Sequence, residues 1–180
     1  MTMRPLLALV LLGASPAAAQ ALKGHDTNAP VDFSADRIEV QDKSNRAVLA
    51  GNVHVTQGAM VLDAARMTVA YTGQMQGGKP SVQRLDASGG VTVKSPDQTA
   101  RGNFGIYDLN RKLITMLGAV TLIQGNNTVR GGRLVIDLNS GRSVMDGSAV
   151  SGGGAGGTPS AGGRVTGRFS VPQRTQTPPK

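Results

Sequence analysis

From Phe33 to about Gly147, apolar residues recur at every second position, in runs such as RIEV, NVHVT, RMTVAY, GVTV, AVTLI and RLVIDL. A period of two puts alternate side chains on opposite faces of an extended chain, whereas an amphipathic helix needs apolar residues three and four apart. No window in this span keeps helical spacing for more than a turn. Valine, isoleucine and threonine, whose branched side chains suit a pleated surface, fill the runs. The alternation therefore predicts an all-β domain in which each strand has one apolar and one polar face. Clusters of Gly, Asn and Asp at DKSN, TQG, SGG, SPD, DLN, QGNN and LNSG divide the runs into short strands with tight antiparallel connections.

The runs also repeat. AGNVHVTQG at residues 50–58 returns in outline as LGAVTLIQG at residues 117–125. Val53, Val91, Val120 and Ala149 each stand two residues after a glycine, at Gly51, Gly89, Gly118 and Gly147, with spacings of 38, 29 and 29 residues. Taking GQMQGGKPS, residues 73–81, as an insertion of nine residues makes the first spacing regular. A unit near 29 residues cannot bury its apolar face alone, so successive units stack. Two facing sheets and a wound solenoid both satisfy this, and either leaves strand edges at its ends that a neighbouring protein can extend.

The first 21 residues hold a basic start at Arg4, an apolar run from Leu6 to Leu12 and small residues at Ala17 to Ala19, the pattern of a cleaved secretory signal. The run is shorter than the roughly 20 apolar residues of a membrane span. Residues 22–32 are expected to form a flexible lead-in, residues 33–150 the domain, and residues 151–180, rich in Gly and Pro, a structureless basic tail. Cysteine is absent, which excludes disulfides and thiolate chemistry.

The formal charge of +8 is unevenly spread: residues 22–147 hold fourteen Lys and Arg against eleven acids, and residues 148–180 hold four basic residues and no acid. With so few aromatics, a nucleic-acid groove built on stacking is not expected; an anionic surface or ligand in the envelope is. Chemistry is poorly supplied. His54 lies between Val53 and Val55, so alternation turns it to solvent. Asp36, Glu39, Asp42 and Asp63 fall at outward or turn positions, and Arg66, Arg130 and Arg133 read as partners of neighbouring carboxylates. GGK at 77–79 lacks the rest of a phosphate-binding loop. Neither an enzyme, a metal site nor a cofactor is expected.

APVDFSADRIEVQDKSNRAVLAGNVHVTQGAMVLDAARMTVAY, residues 29–71, resembles the opening of the LptA (OstA-type) family of periplasmic lipopolysaccharide-transport proteins. The features that carry it are SAD at Ser34 to Asp36, GNVHVTQG at Gly51 to Gly58, then Leu62, Ala64 and Arg66; it continues more loosely through residues 100–125. The resemblance implies a slightly twisted β-jellyroll of two facing antiparallel sheets, open at both ends, whose interior holds the acyl chains of lipid A. It also implies edge-to-edge partners, an LptC-like jellyroll on one side and an LptD-like jellyroll on the other, with head-to-tail self-association by the same edges. Carried onto this chain, the inward lining is Ile38, Val40, Val53, Val55, Leu62, Met67 and Val69, followed by Val91, Val93, Tyr107, Val120, Leu122, Val129 and Ile136. Between Gly102 and Asp108 the phase that keeps step with Met67 and Val69 points Gly105 and Tyr107 inward, and Phe104 and Ile106 outward. An exported structural or adhesive solenoid with a solid core is the alternative from another class, and an LptC-like jellyroll is the alternative if the first segment stays uncleaved.

Overall fold

The short apolar runs are halves of longer strands. The computed structural model describes residues 25–73, 80–147 and 163–170; the expected signal segment and residues 151–162 and 171–180 of the expected tail lie outside them. In chain order the strands are β1 (Val31–Ser34), β2 (Arg37–Gln41), β3 (Arg46–Gln57), β4 (Met60–Thr72), β5 (Ser81–Lys94), β6 (Gln98–Asp108), β7 (Leu113–Gln124), β8 (Asn127–Asp137), β9 (Arg142–Asp146) and β10 (Thr166–Arg168). One 3-10 turn, Asp42–Ser44, joins β2 to β3. Every pairing is antiparallel, and β3 to β8 follow one another across the sheet in sequence order.

Each of the six central strands, 11 to 14 residues long, bends in the middle. The ladder slips at matching places, between Ala50 and Val53, Asp63 and Arg66, Ser88 and Val91, Arg101 and Phe104, and Leu117 and Val120. Such bulges bend a strand and sharpen its twist. The result is one sheet folded along a crease into two layers. The first layer holds β1, the carboxy-terminal halves of β3, β5 and β7, the amino-terminal halves of β4, β6 and β8, and β10; the second holds β2, the other halves, and β9. The two sheets expected from the resemblance are thus continuous through the crease.

The repeated glycines make the crease rather than ending strands. β3, β5 and β7 turn through two consecutive left-handed residues, Gly51 and Asn52 (φ 78° and 45°), Gly89 and Gly90 (83° and 81°), and Gly118 and Ala119 (78° and 48°). Left-handed backbone is costly for most residues and free for glycine. Space demands glycine too: a Cβ at Gly89 would stand 2.7 Å from the Ala65 Cβ, and one at Gly118 would stand 2.8 Å from Asn103 Nδ2. The 29-residue spacing is therefore one hairpin, and the longer first spacing falls on the β4–β5 connection.

At both ends of the described residues the structure differs from expectation. The lead-in expected at 22–32 is held from His25 onward and contains the start of β1. In the stretch expected as tail, Thr166, Gly167 and Arg168 pair with Arg130, Val129 and Thr128, because the edge of β8 in the first layer offers backbone groups to satisfy.

Candidate functional site

Register carries apolar side chains from one end of the folded sheet to the other. In the first layer an unbroken inward row runs Phe33, Val55, Leu62, Val93, Ala100, Leu122, Val129 and Gly167. In the second layer two inward rows run Ile38, Leu49, Met67, Ala87, Gly105, Met116, Leu134, Met145 and Val40, Ala47, Val69, Leu85, Tyr107, Ile114, Ile136, Ser143. The rows of both layers meet in one continuous core. In this state side chains fill the space between the layers, leaving a narrow gap beside Val93, Ala100 and Ile136.

Of the residues expected to line the interior, Val53, Val55, Leu62, Met67, Val69, Val91, Val93, Tyr107, Val120, Leu122 and Ile136 are buried. Ile38 and Val40 are not: they are 46% and 47% exposed. They share the inward rows of Leu49 and Ala47, but among the described residues β2 is the last strand of its layer and no further strand covers them. Val129 is half-buried for the same reason, facing only Gly167 on the β10 side. Around Gly105 the inward phase is that of Gly105 and Tyr107, with Phe104 54% exposed. A Cβ at Gly105 would lie 2.9 Å from Val91 Cγ1, so the crossing there is tight.

The side opposite the crease, where the strand tips of the two layers approach, is a seam closed by polar side chains. Gln57, 2% exposed, accepts a 2.7 Å hydrogen bond from the Tyr107 hydroxyl of the other layer and a 3.2 Å contact from His25 Nε2. Its amide nitrogen donates to the carbonyls of Thr27 and Ala29, both at 3.1 Å. Burial pushes the Tyr107 hydroxyl up to about 12, against a smaller opposing effect of its bond to Gln57. Farther along the same row of tips, Gln98 accepts a 3.0 Å bond from Gln124.

The outer faces are charged. His54 is exposed, as alternation predicts, and its Nδ1 lies 2.7 Å from Asp63, whose other oxygen accepts a 3.0 Å bond from Lys94. Partial burial raises the Asp63 carboxyl, but the bonds from His54 and Lys94 outweigh it and hold it below the usual carboxylate range. Asp36 caps the crease, donating its N–H to the Gly51 carbonyl and accepting from Asn52 at 2.9 Å. Asp42 accepts from the Tyr71 hydroxyl at 3.0 Å, and Arg133 lies 3.8 Å from Asp146. Among the described residues no group of three or more His, Asp or Glu could hold a metal ion, and no helix is long and apolar enough to cross a membrane.

Several buried residues were not expected from the sequence: Ala47, Leu85, Ala87, Ala100, Ile114, Met116 and Leu138. Alternation in RLDA and LITM carries the signal for Leu85, Ala87, Ile114 and Met116, once the phase is propagated from Tyr107. Gln57 and Gln98 were missed because a buried glutamine has no periodic signature, although Gln57 stands at the same place in its repeat as Gln124.

Residues 32–142 match the family model described as LptA/(LptD N-terminal domain) LPS transport protein. An uncharacterized protein of Rhizobium meliloti (strain 1021) is 32% identical over 121 residues, which is 65% of this chain and 65% of that protein, so the chain spans just under two thirds of this relative's length. The crystal structure of LptH from Pseudomonas aeruginosa, titled the LptA homologous periplasmic component of the conserved lipopolysaccharide transport device, superposes with a TM-score of 0.67 at 21% identity, covering 82% of this chain and 99% of that one. At that identity the likeness establishes a shared jellyroll fold.

Proposed function

The chain belongs to the LptA/LptD N-terminal-domain family of lipopolysaccharide transport proteins, and from that premise we propose that it is a periplasmic carrier that shelters the acyl chains of lipid A between its two layers. It hands them from an LptC-like jellyroll to an LptD-like one, and acts without catalysis. The observation that carries this reading is the set of apolar rows that cross every strand and reach the open end of the second layer at Ile38 and Val40. Exposing an acyl chain to water costs about 0.8 kcal/mol per CH₂, on the order of tens of kcal/mol for a multiply acylated lipid. A continuous apolar lining removes that cost along the whole route. Val, Leu and Met in the rows can slide and repack as chains enter.

Edges supply the joints. β1 and β2 pair only with β3, and β9 and β10 only with β8, among the described residues. A jellyroll of the same kind can extend either end by strand addition, and a second copy of this chain can do so head to tail. Ile38 and Val40 would then become interior, covered by the strands of the partner.

The filled interior supports a second reading, an exported solenoid with a solid core. Photo-crosslinking in cells making lipopolysaccharide separates the two. A photoreactive residue at Val55 or Val69, on inward rows, is expected to form lipopolysaccharide adducts, and one at His54 or Thr68, on outward rows, is not. Folded, exported protein that forms no adduct at any of the four positions would leave the solid core as the reading.

A further inference from the structure

The inward rows are apolar apart from Ser143 in the second layer and a set of polar residues along the seam edge of the first layer. Where the strands of the first layer end at the seam, most inward positions are polar, Gln57, Ser95, Gln98, Gln124 and Asn127, with the apolar Val31 and Met60 on either side of Gln57; Gln98 pairs with Gln124, and Gln124 with Asn127. This polar rail follows one lip of an otherwise greasy trough.

Its members are not equivalent. Both ends of the Gln57 amide are occupied, by Tyr107, His25 and two backbone carbonyls, which makes it a closure. Gln98 is 6% exposed, its carbonyl oxygen accepts from Gln124, and its Nε2 has no partner. Gln98 borders the gap between the layers, together with Val93, Ser95, Ala100 and Ile136. The gap is too narrow for a water molecule, so the donor is neither bonded nor solvated. Buried donors are bonded as a rule, and an exception asks for an explanation, one being an acceptor that arrives from elsewhere.

We propose that Gln98 Nε2 donates to the carbonyl oxygen that links an acyl chain to its sugar, so that the rail sets how deeply each chain enters. The inference rests on the acyl-chain reading above. The polar group at the head of each acyl chain is the carbonyl of its ester or amide linkage to the sugar. Ala100 lies two residues farther along the same strand, about 7 Å into the apolar row. A chain lying along Val93 and Ala100 therefore brings its linkage to the level of Gln98. The amide N–H is a neutral donor, suited to a carbonyl and unable to hold a phosphate by charge.

Two synthetic ligands test this: one phosphorylated glucosamine carrying tetradecyl-length chains in ester linkage, and the same molecule with ether linkages, which lack the carbonyl. Binding of each is measured to the full chain and to Gln98→Met, together with the melting temperature of both proteins. The native chain is expected to prefer the ester about fivefold, the effect of one neutral hydrogen bond, and Q98M to bind both ligands alike. Q98M should melt no lower than the native chain, because it removes an unpaired buried donor and Gln124 is only partly buried. Equal binding of both ligands by the native chain, or a preference that survives in Q98M, overturns the proposal while the acyl-chain reading stands. Parallel loss of both ligands and of melting temperature in Q98M also overturns it, since that marks a structural role. A folded native chain that binds neither ligand overturns the acyl-chain reading itself.

Discussion

The crease and the seam hold the same two layers together by opposite means. At the crease the backbone itself passes from one layer to the other in every central strand, and in β3, β5 and β7 it does so through residues chosen for what they lack: Gly51, Gly89 and Gly118 stand where a Cβ would collide with a neighbouring side chain. At the seam the described contacts between layers are made by side chains, with the Tyr107 hydroxyl reaching Gln57 from a strand three places away. A covalent crossing cannot release, whereas a hydrogen-bonded one can. If the layers part to take up acyl chains, this geometry has them part at the seam and hinge at the crease.

The crease gives the largest predicted effect. Gly89→Val places a branched side chain at φ 83° and against the Ala65 Cβ, whereas Gly90→Ala, at φ 81°, meets nothing within 4 Å. The alanine should cost about 1 kcal/mol, the strain of a left-handed residue, and the valine about 3 kcal/mol or more, since strain and overpacking add. Urea unfolding of the two variants measures the difference. Equal losses would mean that the crease is set by backbone angle alone and is not tightly packed.

At the seam, Gln57→Leu removes a buried amide and leaves the Thr27 and Ala29 carbonyls and the Tyr107 hydroxyl to find new partners. The expected loss is about 2 kcal/mol, and it should be local. Amide exchange should accelerate in residues 25–34 and stay slow in β4 to β7, where the backbone ladder is untouched. Exchange that accelerates equally across the sheet would show that the seam and the crease are one cooperative unit.

These two regions were unequally legible in the sequence. The alternation and the glycine repeat gave away an all-β stack and its 29-residue pitch, because both arise from the backbone: period two from the pleat, glycine from a required left-handed angle. Inward phase was legible wherever two or three branched residues alternate, as at Val53, Val55 and Val91, Val93. What the repeat meant was not: a glycine that bends a strand and a glycine that ends one look alike, so long bent strands read as pairs of short ones. Exposure at Ile38 and Val40 was hidden because it depends on where the sheet stops. The seam was hidden because Gln57 and Tyr107 are 50 residues apart and meet only after four strands have paired and twisted. β10 escaped for a related reason: three residues in a Gly-rich stretch carry no period, and the edge of β8 alone recruits them.

The smallest predicted effect concerns side chains that join strands within one layer. His54, Asp63 and Lys94 tie β3, β4 and β5 across the outer face, where backbone pairing already joins those strands. Contacts that duplicate an existing ladder should matter less than contacts across the seam, which duplicate nothing. The Asp63 carboxyl is held below its ordinary value of 3.8 in the folded chain, so its contribution is present above that value and is lost as pH falls through the lower folded one. Its side chain is 36% exposed, so the contribution should stay below about 1 kcal/mol. Asp63→Asn should therefore leave the urea midpoint at pH 7 slightly lowered and make its fall between pH 5 and pH 2 shallower than in the native chain. A loss at pH 7 as large as that of Gln57→Leu would erase the distinction between contacts within a layer and contacts between layers, and would place part of the clamp on the outer face.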